Sequence, residues 1–263
     1  MNGLTRDAAA PSTPAIPDSV WRADQLAQAA GRVESSRHAA LDAQLPGGGW
    51  PLGALVELLL PHPGVGELQL IAPAVSAACD IDSRQALFIG TPHNLYGPAL
   101  GALHWDLARL MLVDAQTPAD RLWAAEQALR CPAIGALMVW LPKARVDQLR
   151  RLHLAAQASE MLVFIVRPLA CRNESSPAPL RITCQASFEG RSSTQRSLSL
   201  DIVKRRGPAL DAPVRVDFTL PVSMRASSMH AARVRDERSD ARQPHVLDST
   251  RLRATADRSA HVH

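Results

Sequence analysis

The sequence predicts an α/β fold: a mostly parallel sheet with helices on both faces, an antiparallel C-terminal flank and disordered termini. Three observations predict it. Apolar runs at 54–60, 134–141 and 161–166 have strand length and almost no polar alternation, as strands buried on both faces do. Segments with helical spacing of apolar residues lie between them, and strands alternating with helices build parallel sheets. After Arg167 the pattern turns to period two, at 180–188, 197–204 and 214–220, which reads as three half-buried antiparallel strands added to that sheet.

Taken in order, residues 1–16 are rich in Ala, Pro, Ser and Thr and have too little apolar area to order. Residues 17–30 spell a short amphipathic helix with Val20, Trp21 and Leu26 on its apolar face. An isolated helix of that length is marginal, so Trp21 docks either on the chain's own core or on a partner. The folded domain spans 35–221, after a leader at 1–34 and before a basic tail at 222–263. A short helix at 38–45 ends at Pro46. A strand at Ala54–Leu60 leads through a tight Pro/Gly loop at 61–66 into a helix from Glu67 to Asp80, which Pro73 should kink. Strands at 86–91 and 110–114 flank a helix at 98–107. Thr117-Pro118-Ala119-Asp120 opens the next helix with a cap, a first-turn proline and an acid three residues after the cap; Leu122, Trp123 and Leu129 form its apolar stripe. The strand at 134–141 follows. Then comes a helix with Val146, Leu149, His153 and Ala156 inward and Arg145, Arg150 and Arg151 outward. The strand at 161–166, a polar loop at 168–179 and the flank complete the domain.

With 263 residues, 46% of them hydrophobic, the chain can hold one well-buried α/β domain with room for tails. The net charge of +4 does not identify a nucleic-acid binder. Most of the excess sits in the tail, where 222–263 carries eight arginines against five acids. The four cysteines, Cys79, Cys131, Cys171 and Cys184, stand far apart without metal-ligand spacing and read as reduced thiols. There is no basic segment followed by an apolar core near the start, and Glu57 and Pro61 interrupt the best apolar run. A cytoplasmic protein is expected, nucleoid-associated when engaged with partners.

The chain is organised around residues 47–70, GGGWPLGALVELLLPHPGVGELQL. Strand, glycine loop and helix make the frame of a P-loop, but the chemistry is missing. The motif positions read Pro61, Gly64, Gly66, Glu67 and Leu68, so a glutamate replaces the phosphate-binding lysine and a leucine replaces the magnesium-binding hydroxyl. A carboxylate aimed at a triphosphate repels it. Glu67 is then either a first-turn acid suited to the helix dipole or a partner contact.

Residues 38–57, HAALDAQLPGGGWPLGALVE, resemble the run before the P-loop of RecA-like recombinases. Phe88-Ile89 with His93, Leu95 and Pro98 resembles the strand bearing the recombinase catalytic glutamate. Residues 164–167, FIVR, sit where that family has a sensor strand, and IVKRRG at 202–207 with Pro213-Val214 resembles its late basic strand. The likeness spans 35–221. Its wording, with Val20-Trp21-Arg22 upstream and Lys204-Arg205-Arg206-Gly207 downstream, is similar to the ImuA family, RecA-like accessory factors of the SOS response to DNA damage.

That resemblance implies a RecA-like adaptor in mutagenic translesion synthesis. Its implied partners are an ImuB-like inactive Y-family polymerase, through it an error-prone C-family polymerase, and RecA itself. It places the Walker B acid at the end of 134–141, which reads Val139-Trp140-Leu141-Pro142, and the catalytic glutamate on Pro92 or His93. The sensor position falls near Arg167. None carries the expected group, so the resemblance implies no ATPase, no cofactor and no metal. Candidate partner or DNA contacts are Lys204, Arg205, Arg206 and Trp21, with alternation placing Lys204 and Arg206 on one face; a solvated basic run is the plainer alternative. A division inhibitor resembling SulA, acting on FtsZ, and a weak noncanonical NTPase remain open.

Overall fold

Glycine and proline at 46–53 bring two short strands together at the entrance of the domain, β1 (Val33–Glu34) against β2 (Trp50–Pro51), with α1 (Ala39–Asp42) between them. The structure, a computed structural model, describes residues 31–187 and 195–219, all within one unit at 1–220. The leader helix with Trp21, and the tail, lie outside the described residues.

Among the described residues the main sheet has eight strands. They are β3 (Ala54–Leu60), β4 (Gln85–Ile89), β5 (Leu110–Val113), β6 (Ile134–Trp140), β7 (Leu162–Pro168), β8 (Leu180–Ser187), β9 (Gln195–Lys204) and β10 (Val214–Thr219), in the order β10-β9-β8-β3-β7-β6-β4-β5. From β8 to β5 every pairing is parallel. The helices are α2 (Glu67–Asp80), α3 (Gly97–Gly101), α4 (Pro118–Ala128) and α5 (Val146–Gln157).

The continuous apolar strands have their reason in two cores. On one face Val56, Leu58 and Leu60 pack with Leu70, Ile71, Phe88 and Phe164 beneath α2. On the other, Leu55, Leu137, Val163 and Ile165 pack with Leu149, Leu152 and Ala156 of α5 and Leu122 and Ala125 of α4. Both faces are covered, so neither can be polar. The Thr117 side chain accepts the Asp120 N–H at 3.1 Å, as the cap motif predicts.

Four expectations are corrected. The flank β8-β9-β10 pairs antiparallel throughout, but β8 is not half-buried: its first five residues are buried, because it joins the parallel sheet beside β3 after residues 169–179 carry the chain back across. Trp123 is 65% exposed; the face of α4 against the sheet is Leu122, Ala125 and Leu129, and position 123 lies about 100° around the helix from Leu122. The buried stripe of α5 is Leu149, Leu152 and Ala156, with His153 only half-buried at its border. The helix expected at 98–107 stops at Gly101, and Trp105 turns inward to donate its indole N–H to the Ala72 carbonyl at 3.0 Å.

Pro73 sits within α2, which is one continuous helix. The described cysteines form no disulfide; Cys79, Cys171 and Cys184 are buried and Cys131 is exposed. No helix among the described residues is long and apolar enough to cross a membrane.

Candidate functional site: a filled anion loop and a basic cleft

The loop at 61–66 leaves the carboxyl end of β3 and opens α2, the place where α/β proteins hold phosphates. Gly64 and Gly66 have φ of +85° and +126°, a region that glycine enters without penalty. These turns point two backbone N–H groups at one spot, and the Glu67 carboxylate occupies it. Gly64 N–H donates to Glu67 Oε1 at 2.8 Å and Gly66 N–H to Oε2 at 3.1 Å. Glu67 is 3% exposed. It is therefore more than a first-turn acid: it supplies the anion that such a loop holds, from within the chain. A phosphate at this spot would have to displace it. Leu68 is half-buried against the core beneath α2. Nearby, burial and then the Glu67 charge push the Cys184 thiol up.

The remaining motif positions do not converge on this loop. At the end of β6 the Trp140 indole packs edge-on to Phe88, centroids 5.9 Å apart, in the core beneath α2, with its Nε1–H unpartnered. Pro92 and His93 lie in an exposed turn after β4. The Arg167 side chain enters the opposite face of the sheet, with Ile165 and Val163 by alternation.

There Arg167 joins a buried ionic cluster. Glu57, fully buried in β3, faces Arg181 of β8 in register and accepts its Nε–H at 2.8 Å. The Ser176 hydroxyl donates to the other Glu57 oxygen, and Arg167 Nη1 lies 3.8 Å from it. Arg181 also donates to the Cys171 and Arg172 carbonyls at 2.8 and 3.0 Å. Arg167 Nη2 donates to Glu174 at 2.7 Å, which holds that carboxyl below the usual carboxylate range. The cluster ties the 3-10 segment Leu169–Asn173 over the sheet. Sequence reasoning used Glu57 only to break an apolar run. The available signal was a lone acid inside a buried strand, which requires a buried cation.

The basic run divides. Lys204 ends β9 and donates to the Ser176 carbonyl at 2.8 Å. Arg205 turns to the other side, donating to the Pro208 carbonyl at 2.8 Å and to the Gln44 carbonyl after α1. Its guanidinium is a brace, so the three cations do not form one patch. Lys204 and Arg206 approach His153 of α5; burial first, then these two charges, lower the His153 pKa. Arg206 and His153 border a cleft of about 160 Å³ at the amino ends of β3 and β8. Among the described residues no group of three or more His, Cys, Asp or Glu side chains could hold a metal ion.

No model of a known protein family matches this sequence, and no curated protein matches it significantly.

Proposed function

We propose that the chain is a non-catalytic, RecA-like adaptor of the ImuA kind. It serves damage-induced mutagenic translesion synthesis by contact with an ImuB-like inactive Y-family polymerase and, through it, an error-prone C-family polymerase, with RecA a further partner. The observation that carries the non-catalytic half is the Glu67 carboxylate seated on the Gly64 and Gly66 N–H groups. Phosphoryl transfer needs a phosphate-binding lysine, Mg²⁺ and an aligned water. Here the loop's anion is already present and an indole stands at the Walker B position. The RecA-like half is supported by the fold. The positions that the resemblance assigns to P-loop, sensor, Walker B and catalytic glutamate fall at or just beyond the carboxyl ends of β3, β7, β6 and β4, which are consecutive in the sheet.

Two measurements test the proposal. Calorimetric titration with ATP and Mg²⁺ should give no saturable heat; micromolar binding abolished by a Gly66 substitution would overturn the non-catalytic half. Affinity capture of the full chain from DNA-damaged cells should recover the inactive polymerase, and a deletion strain should lose damage-induced mutagenesis. Recovery of the division-ring protein FtsZ with normal mutagenesis would overturn the adaptor half.

A further inference from the structure

The cleft at the amino ends of β3 and β8 lies at the opposite end of the strands from the Glu67 loop, and nothing in the P-loop comparison accounts for it. Its walls are of two kinds. One is apolar: Pro51 and Leu52 from the β2–β3 turn, and Pro179 and Leu180 at the start of β8. The other is basic: His153 of α5 and Arg206 beyond β9. No acid lines the cleft. Arg32 at its rim is paired on the outside with Glu160. Arg206 has no hydrogen-bond or ion-pair partner among the described residues. His153 Nδ1 is buried and likewise lacks a partner. The Arg206 guanidinium therefore reaches the cleft with no internal acceptor competing for it, and the His153 ring lies beside it in the same lining.

The floor is rigid. Gly53 closes the β2–β3 turn with φ of +63°, and a Cβ there would stand 2.6 Å from the Ser159 carbonyl after α5. The Gly53 N–H donates to the Met161 carbonyl at 3.0 Å. The two walls are thus held in register by backbone, which preorganises the cleft.

We infer that this cleft binds a carboxylate on an apolar body, the carboxyl-terminal residue of a protein partner, with Arg206 and His153 taking the carboxylate and the Pro51–Leu52 and Pro179–Leu180 walls taking the side chain. A guanidinium matches a carboxylate by paired hydrogen bonds, and an imidazole N–H adds a third donor. Lys204, near His153, adds attraction without contact. The inference rests on the adaptor reading only for the partner being a protein.

The test is an NMR titration of the full chain with N-acetyl-leucine and, separately, N-acetyl-leucine amide. The acid should shift the His153 ring and Gly53 amide signals saturably and raise the His153 pKa, because an anion stabilises the imidazolium. The amide and the Arg206→Gln variant should each bind about tenfold more weakly, the loss expected for one charge-assisted contact. A short peptide ending in a free leucine carboxylate should bind at least about tenfold tighter than N-acetyl-leucine, since more of its length meets the apolar wall. Equal affinity of peptide and amino acid assigns the cleft to a small carboxylate and overturns the protein partner. Equal shifts by acid and amide, or no saturable shift, overturn the site. An oligothymidylate that shifts the same signals when the peptide does not turns the cleft into a nucleic-acid contact, also against the inference. Peptide binding without ATP binding supports both readings; peptide binding with ATP binding keeps the cleft and removes the non-catalytic assignment.

Discussion

Replacing Glu67 by alanine should unseat the loop, and the size of the effect follows from the two hydrogen bonds that it accepts. Each is charge-assisted, and hydrogen bonds to charged groups contribute about 1.5–3 kcal/mol. Gly64 is exposed, so water can replace its lost partner; Gly66 is buried, and its N–H would remain unsatisfied. The expected loss is therefore nearer one full bond and part of a second, about 3 kcal/mol. For a domain of this size that corresponds to a fall in Tm of roughly 6–12 °C. Glu67→Gln keeps an uncharged acceptor and should lose about half as much. The assay is calorimetric melting at neutral pH, repeated with sulfate and with chloride at matched ionic strength. Sulfate should restore part of the Tm of Glu67→Ala, because a free anion can take the vacated spot, and should not act on the wild type beyond the chloride control. A Tm for Glu67→Ala within about 2 °C of wild type would refute the idea that this carboxylate is the loop's anion.

Three further outcomes follow from the geometry. Arg181→Met should destabilise strongly, by about 3–5 kcal/mol in urea unfolding, because it removes the cation hydrogen-bonded to the buried Glu57 carboxylate; Glu57→Leu with Arg181→Met should recover most of that, and a double-variant loss equal to the sum of the Arg181→Met and Glu57→Leu losses would show the pair is not coupled. Burial lowers the pKa of both His38 and His153, with the Lys204 and Arg206 charges adding to the second, so the unfolded chain holds more protons below the ordinary histidine value of 6.5. Stability should be full above that value and fall as pH drops toward the folded pKa; a lower urea midpoint at pH 5.5 than at 7.5, reduced in a His38→Gln, His153→Gln variant, checks the sign. Glu67→Lys with Leu68→Thr and Trp140→Asp should not create an ATPase: it removes a buried indole and places a lysine against two N–H donors, so melting should show a loss of fold before any phosphate release is measured.

What was legible in the sequence was what local pattern determines. The apolar runs give the buried strands of the parallel sheet almost to the residue, because a strand covered on both faces can carry few polar groups. The Thr117 cap opens α4 for the same local reason. What stayed hidden depends on partners distant in sequence. Glu57 and Arg181 are 124 residues apart and become neighbours only when β8 lies parallel to β3. The pairing of β8 with β3 was itself not legible, since period two says which residues share a face and nothing about which strand lies alongside. Arg205 looks like Lys204 and Arg206 in one dimension; only the fold sends it to the Gln44 carbonyl while its neighbours approach His153. The Glu67 substitution was visible, but not its consequence. A loop built to gather N–H groups needs an anion whether or not it binds nucleotide, and unpaired donors at a buried helix start are costly. A glutamate at the first helical position reaches back to them at the high effective concentration of a tethered group. The Glu67 carboxylate gives Gly64 and Gly66 a place in the fold itself, since their N–H groups hold it. The loop holds β3 to α2, and under the adaptor proposal the opposite end of the sheet, with Arg206 and His153, is the place for contact.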